Sequence, residues 1–156
     1  MGRELDRGVE GSLAWRGGEW DLRAGAQWLR ARVDTPNDPV RDGKRPTNVP
    51  ATTVRLQAGW QPAALAGLRM HASGSHESAR EVLPDNSARI PGVTRFDLGA
   101  RYETRASGSG TTWTLRAGID NVFDKRAWRE APYQFGHAYL FPLEKRTLRV
   151  SLQADL

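Results

Sequence analysis

Apolar and polar residues alternate along seven segments of the chain, and this two-residue period predicts β-strands with one apolar and one polar face. The period is clearest near the end of the sequence, where every second residue from Trp113 to Ile119 and from Leu148 to Leu156 is apolar. The other five segments begin at Val9, Trp20, Val54, Leu68 and Phe96. No segment of comparable length has a helical period, so the sequence predicts an all-β fold of about seven strands.

The segments that connect these strands are alternately short and long. The short ones are the glycine pair 17–18 and residues 61–67 and 105–110, and the long ones are 34–50, 77–91 and 124–146. In an antiparallel up-and-down meander, this order places every short turn at one end and every long loop at the other. Bacterial transmembrane barrels have that asymmetry, whereas the Greek-key crossings of a sandwich would break it. The connectors therefore favour part of a transmembrane β-barrel.

Large aromatic residues occupy apolar-face positions close to the short turns. They are Trp15, Trp20, Trp60, Tyr102 and Trp113. Amphipathic rings at one depth predict a belt at a membrane–water interface. The alternative is that these rings pack the core of a sandwich, where they would be spread over the strand centres.

Composition restricts the function more than it restricts the fold. The 156 residues suit one domain, and the mean hydropathy of -0.62 fits either a soluble protein or a barrel whose strands are half apolar. The absence of cysteine excludes disulfides and thiolate metal sites. The net charge of +5 comes mainly from scattered arginines, so no nucleic-acid partner is predicted. The first residues lack the apolar segment of a secretory signal, so a chain beyond the cytoplasm is expected to be processed or part of a longer protein.

Three motifs, in order along the chain, resemble those of the TonB-dependent siderophore receptors. Residues 7–11 (RGVEG) are similar to the start of a late barrel strand, and residues 90–102 (IPGVTRFDLGARY) to a strand of the siderophore branch. Residues 119–125 (IDNVFDK) are similar to the signature before the last extracellular loop, and the alternating segment 147–156 follows in the expected place.

The resemblance implies that residues 1–156 are the C-terminal portion of a receptor barrel of about 22 strands, without the plug domain and the earlier strands. It implies ferric-siderophore uptake in the outer membrane of a Gram-negative bacterium. The implied partners are the siderophore, outer-membrane lipid, and TonB and the plug through the N-terminal part. No cofactor is expected apart from iron carried by the siderophore. The alternatives are a truncated, non-functional receptor remnant and a soluble β-sandwich binding module.

Candidate chemistry concentrates in the last long loop. The predicted ligand-binding residues are Arg126, Trp128, Arg129, Tyr133 and His137. Cations and aromatic rings suit an anionic, aryl-bearing chelate, although the same residues could simply pack the loop. Arg41, Arg45, Arg80 and Arg89 in the other long loops carry the same ambiguity.

Neither catalysis nor a resident metal is predicted. The acidic groups of the last loop do not form an evident convergent acid–base set, so the chain is not expected to be an enzyme. His71 and His76 are five residues apart on one strand and should lie on opposite faces, which disfavours a shared metal ion.

Overall fold

The structure, a computed structural model, describes residues 2–106 and 110–156. Its strands are β1 (Arg3–Gly17), β2 (Trp20–Asp34), β3 (Thr52–Trp60), β4 (Leu68–Glu77), β5 (Arg80–Glu81), β6 (Arg89–Ile90), β7 (Val93–Arg105), β8 (Thr112–Asp120), β9 (Trp128–Glu130), β10 (Tyr133–Gln134), β11 (His137–Ala138), β12 (Phe141–Pro142) and β13 (Thr147–Asp155). Within the described residues, no helix has the length and apolarity needed to cross a membrane.

Seven strands form one antiparallel sheet in the order β1-β2-β3-β4-β7-β8-β13. These are the seven predicted strands, and each pairs with its neighbour in the sequence once the short β-pairs of the loops are set aside. The predicted all-β, up-and-down meander is therefore confirmed. Among the described strands, β1 and β13 are the edges of the sheet, and the barrel is not closed.

Connector bounds also agree with the sequence to within three residues, and the largest difference is that the last long loop begins at residue 121 rather than 124. The first turn consists of Gly18 and Glu19, because Gly17 still pairs with Trp20 in the ladder. Gly18 has a φ of 56°, which glycine adopts without the usual steric cost. The third short connector was predicted at 105–110, and its residues 107–109 lie outside the described residues.

The register keeps the apolar parity on a single face across the whole sheet. Trp20 lies opposite Trp60, which lies opposite Met70, and the same row continues to Ala100. No other layer of the described chain covers this face, and Val150 is 76% exposed. A soluble sandwich would bury such a face against a second sheet, so the uncovered face matches a barrel wall.

The buried apolar cluster of the described chain lies among the loops rather than beneath the sheet. It consists of Val82, Ile90 and Ala131, with Leu83 and Ala88 packed against it. Because these residues come from two long connections, the loops hold one another in place at that end of the sheet.

Candidate functional site

Three long loops leave the sheet at the same end and contact one another. We call them the first loop (residues 35–51), the second loop (78–92) and the third loop (121–146). Asn48 of the first loop joins all three. Its backbone N–H donates to the carbonyl of Glu81 at 2.8 Å, and its side-chain oxygen accepts from the Ala131 N–H at 2.8 Å. Asn48 has a φ of 61°, a conformation that asparagine tolerates better than most residues.

Arg80 of the second loop is a packing residue. It is only 7% exposed, and its guanidinium donates to the carbonyl of Arg129 at 2.7 Å and to the side chain of Asn48 at 3.3 Å. Glu77 forms an ion pair with it. Burial lowers the pKa of Arg80 from its ordinary value, and the nearby Glu130 opposes that shift. The sequence leaves Arg80 open between a ligand-binding role and a packing role, and these contacts favour packing of the loops.

Asn86 fastens the first loop to the second. Its side-chain oxygen accepts from the N–H of Arg45 at 2.8 Å, and its amide donates to the carbonyl of Arg45 at 2.9 Å. Such a reciprocal pair fixes the backbone of Arg45 and leaves its side chain unconstrained.

Asn121 closes the base of the third loop. Its side-chain amide donates to the carbonyls of Lys125 at 3.0 Å and Glu144 at 2.8 Å, while its oxygen accepts from the Lys125 N–H at 2.8 Å. Asp124 adds a second link by accepting from the N–H of Arg146 at 3.1 Å, which lowers the pKa of that carboxyl group. The segment at 121–124 therefore sets loop geometry.

A cleft of about 550 Å³ lies between the long-loop end of the β1–β2 hairpin and the first, second and third loops. Its lining includes Arg3, Glu4, Arg41, Arg45, Pro84 and Tyr133. Among the described residues, neither Arg41 nor Arg45 has a carboxylate partner for its side chain. The cleft combines a net positive charge, from three arginines against Glu4, with an aromatic ring. This combination suits an anionic ligand with a flat or apolar part.

Of the five predicted ligand-binding residues, only Tyr133 lines this cleft in the part of the chain that the structure describes. Arg126 is largely exposed, 3.8 Å from Asp124. Arg129 is paired with Glu144 at 2.7 Å and with Glu130 at 3.3 Å.

The remaining two predicted residues lie on the short β-pairs of the third loop. Trp128 is on β9 opposite Pro142, and His137 is on β11 opposite Gln134. The structure does not gather the five into one pocket, and their ligand role stays a prediction. Arg41 and Arg45 could not be grouped with Tyr133 from the sequence, because they are distant from it along the chain.

The polar face of the sheet carries a mixed-charge network that reaches the third loop. Arg95 pairs with Asp97 at 2.7 Å and with Glu144 at 3.4 Å. Asp120 pairs with Arg149 at 2.6 Å, and Asp97 also accepts from the backbone N–H of Asn121 at 2.8 Å. The network therefore links the base of the third loop to three strands.

On this polar face, one row of residues paired across neighbouring strands contains three glycines. Asp21 lies over Gly59, and His71 lies over Gly99, so closely that a Cβ on either glycine would overlap the side chain above it. Next in the row is Gly118, which forms part of a groove of about 1040 Å³. Small residues here leave room for side chains and solvent against the wall.

The five predicted belt residues all lie on the apolar face near the short-turn end. Trp20 and Trp60 stack with ring centroids 5.8 Å apart, and the Trp60 indole N–H donates to Glu19 at 3.0 Å. Trp15, Tyr102 and Trp113 are on the same parity, and each is at least 40% exposed. Their role as a membrane-interface belt remains a prediction.

A second aromatic group lies at the long-loop end of the same face; of its members, the sequence predicts only Phe123 as an anchor at this edge. Trp28 is 52% exposed, and Phe96 meets Phe123 edge to face at 5.6 Å. Trp28 is eight residues from Trp20 on β2, which corresponds to about 26 Å along the strand and roughly 20 Å in height for a strand tilted by about 40°. The position of Trp28 in the alternating pattern of β2 already places it on the apolar face.

No cluster of metal-ligating side chains that could hold an ion occurs within the described ranges. His76 forms a 2.8 Å hydrogen bond with Thr94 on the apolar face, whereas His71 lies on the polar face. The predicted separation of the two histidines is therefore confirmed.

Comparison with known proteins agrees with this geometry. The family model described as "TonB dependent receptor-like, beta-barrel" matches residues 6–122. The ferrichrome receptor FcuA of Yersinia enterocolitica is 24% identical over 134 residues, which are 86% of this chain and 17% of that protein. The chain thus spans less than a fifth of that relative.

Solved structures show the same fold. The ferric preacinetobactin receptor BauA of Acinetobacter baumannii superposes with a TM-score of 0.83 and 27% identity, over 97% of this chain and 22% of that one. The ferric yersiniabactin uptake receptor FyuA of Yersinia pestis gives a TM-score of 0.78 at 18% identity, over 97% of this chain and 23% of that one. At that identity, the likeness to FyuA concerns the fold alone.

Proposed function

Since this chain belongs to the TonB-dependent receptor β-barrel family, we propose that its seven strands form the C-terminal wall of an outer-membrane receptor that takes up a ferric siderophore. The observation that carries the proposal is the uncovered apolar face between two groups of aromatic residues. Such a face suits lipid, while the charged opposite face suits a hydrated lumen. Proteins of this family are receptors and transporters, and we assign no reaction to this chain.

The loop cleft supports the choice of an anionic chelate as ligand. Relatives are named for ferrichrome, ferric preacinetobactin and ferric yersiniabactin. In this chain, Arg41 and Arg45 would face the charged groups of the chelate, and Tyr133 would contact its ring or apolar part. The plug domain and TonB are proposed partners of the complete receptor, through a part outside these 156 residues.

The rival interpretations make different demands on the sheet. A soluble β-sandwich would need a second layer over the apolar face, and the described chain provides none. A non-functional remnant would leave the ladder edges of β1 and β13 unpaired, which favours aggregation. The next measurement tests whether the apolar face meets lipid, which separates the barrel wall from the soluble sandwich.

Fluorescence quenching by brominated lipids should reveal the depth of the tryptophans. In the reconstituted receptor that carries this segment, single-tryptophan versions retaining Trp20 or Trp28 should be quenched most by bromines near the headgroups. Leu56 lies midway on β3, on the same apolar face. A version whose single tryptophan comes from Leu56→Trp should therefore be quenched most by bromines deep in the acyl chains. Equal quenching at all depths, or none, would contradict the barrel orientation.

Substitutions in the cleft should weaken siderophore binding. We expect the double variant Arg41→Gln/Arg45→Gln to bind the chelate at least about tenfold less tightly, because each charge-assisted hydrogen bond contributes about 1.5–3 kcal/mol. The matched variant Arg126→Gln/Arg129→Gln should lose less, since Arg129 already pairs with Glu144. Titration of the receptor with radiolabelled ferric siderophore measures both. A larger loss in the second variant would place the ligand at the third loop instead.

A further inference from the structure

The β1–β2 hairpin carries a cluster of arginines beyond the aromatic group at its long-loop end. This arginine cluster consists of Arg3, Arg7, Arg30 and Arg32. The ladder between the two strands is continuous from Arg3 opposite Asp34 to Gly17 opposite Trp20. Since side chains alternate along an unbroken ladder, the arginine cluster lies on the same face as Trp28.

Charge on this hairpin is separated by face. On β1, the residues of opposite parity include Glu4, Asp6 and Glu10, which point away from the arginine cluster. On β2, the residues of opposite parity at this height are apolar: Leu29, Ala31 and Val33. The outward face therefore holds four arginines against one carboxylate, that of Asp34.

Two of the arginines oppose each other without compensation. Arg7 and Arg30 are directly paired across the strands, and like charges in that position destabilise a sheet. Arg3 has Asp34 at 3.1 Å, and Arg32 reaches the carbonyl of Gly43 at 3.4 Å. Across the described residues, Arg7 and Arg30 have neither an ion pair nor a side-chain hydrogen bond. An anion held between them would turn the repulsion into attraction.

The height of the arginine cluster indicates which anion is available. Arg30 is two residues beyond Trp28, about 7 Å further along the strand. Tryptophan side chains prefer the headgroup level, so guanidinium groups at this position lie among the lipid phosphates. The planar fork of arginine binds phosphate through two parallel hydrogen bonds, and two opposed forks can hold one phosphate from both sides.

We propose that the arginine cluster binds the phosphorylated headgroup of an outer-leaflet lipid, with Arg7 and Arg30 on the same phosphate. The inference rests on the proposed function, because it requires the apolar face to meet the membrane. It assigns a second role to the hairpin, which anchors one lipid on the outside of the wall while its inner side helps to form the loop cleft.

Binding of diphosphoryl lipid A to the detergent-purified receptor that carries this segment tests the proposal. Native mass spectrometry counts the bound lipid, and titration gives its affinity for the unaltered receptor and for Arg7→Gln/Arg30→Gln. The control is Arg23→Gln/Arg116→Gln, which removes the same charge from the opposite face of the sheet. Dephosphorylated lipid A and inorganic phosphate serve as further probes.

We expect the Arg7→Gln/Arg30→Gln receptor to bind diphosphoryl lipid A at least tenfold less tightly, with the control unchanged and dephosphorylated lipid A bound alike by all three. Equal binding of lipid A by both variants would overturn the proposal. It would also be overturned if inorganic phosphate bound as tightly as the lipid, or if the two substitutions released a co-purifying protein and left lipid binding intact. A failure of the unaltered receptor to enter lipid bilayers would instead refute the proposed function.

Discussion

Replacing Asn121 with alanine is expected to free the third loop from the sheet. The change removes three side-chain hydrogen bonds and leaves backbone groups of Lys125 and Glu144 without partners at a position that is 1% exposed. At about 1 kcal/mol for each bond, the loss is about 3 kcal/mol. The φ of 51° adds about 1 kcal/mol or more for alanine. Together these losses of about 4 kcal/mol should accelerate hydrogen exchange of the Lys125 amide by on the order of 1,000-fold.

Two variants identify the cause. Asn121→Gly lacks the same hydrogen bonds but adopts a positive φ easily, so it should recover only the backbone part of the loss. Asn37→Ala changes an exposed asparagine that makes no side-chain hydrogen bond within the described residues, and it should alter stability by less than about 0.5 kcal/mol. If Asn121→Ala exchanged no faster than Asn37→Ala, the closing role of Asn121 would be wrong.

Replacing Gly67 with alanine is expected to damage assembly of the sheet itself. Gly67 has a φ of 86°, and a Cβ at this position would overlap the carbonyl oxygen of Glu103 on the neighbouring strand. The same two residues share a backbone hydrogen bond from the Glu103 N–H to the Gly67 carbonyl at 3.0 Å. Neither group is a flexible side chain, so β4 and β7 must separate at this end. We expect a loss of at least about 3 kcal/mol from strain and overpacking together.

Gly110→Ala is the matched control for this substitution. Gly110 also has a positive φ, 74°, but no atom of the described residues lies within 4 Å of a Cβ built there, its chain neighbours aside. It should therefore lose only the conformational part, about 1 kcal/mol. Urea denaturation of the detergent-folded receptor, together with the heat-modifiable band of folded barrels on gels, compares the two. Equal losses in the free energy of unfolding for the two variants would mean that the overlap with Glu103 does not destabilise the sheet.

The sheet could be predicted from the sequence because each strand is specified by the alternation of its own residues. Alternation from Trp113 to Ile119 specifies a strand and a face without reference to the rest of the chain. The extension of β1 to Arg3 was not evident, since Arg7 and Arg3 occupy the apolar parity before Val9. A period measured by hydrophobicity ends where arginines replace apolar residues on that face, although the ladder of β1 and β2 continues.

The loop site could be predicted only in part because its contacts are distant in sequence. Asn48 bonds to Ala131, 83 positions away, and no local pattern of residue types specifies that pair. Tyr133 was identified from the composition of its loop, whereas Arg41 and Arg45 join it only through the packing of the first loop on the second. The pairing of Arg129 with Glu144 likewise depends on how the third loop closes.

Nearest-neighbour pairing also governs how such a wall can change in length. Every ladder of the main sheet joins strands that follow each other, apart from the short β-pairs held within the loops. Deleting or duplicating two adjacent strands with their turn and loop preserves the direction, parity and exit side of all the others. Altering the number by one strand would instead invert every later strand and move the later long loops to the end of the sheet that carries the short turns. The hairpin, rather than the strand, is thus the smallest unit by which this wall can be lengthened or shortened.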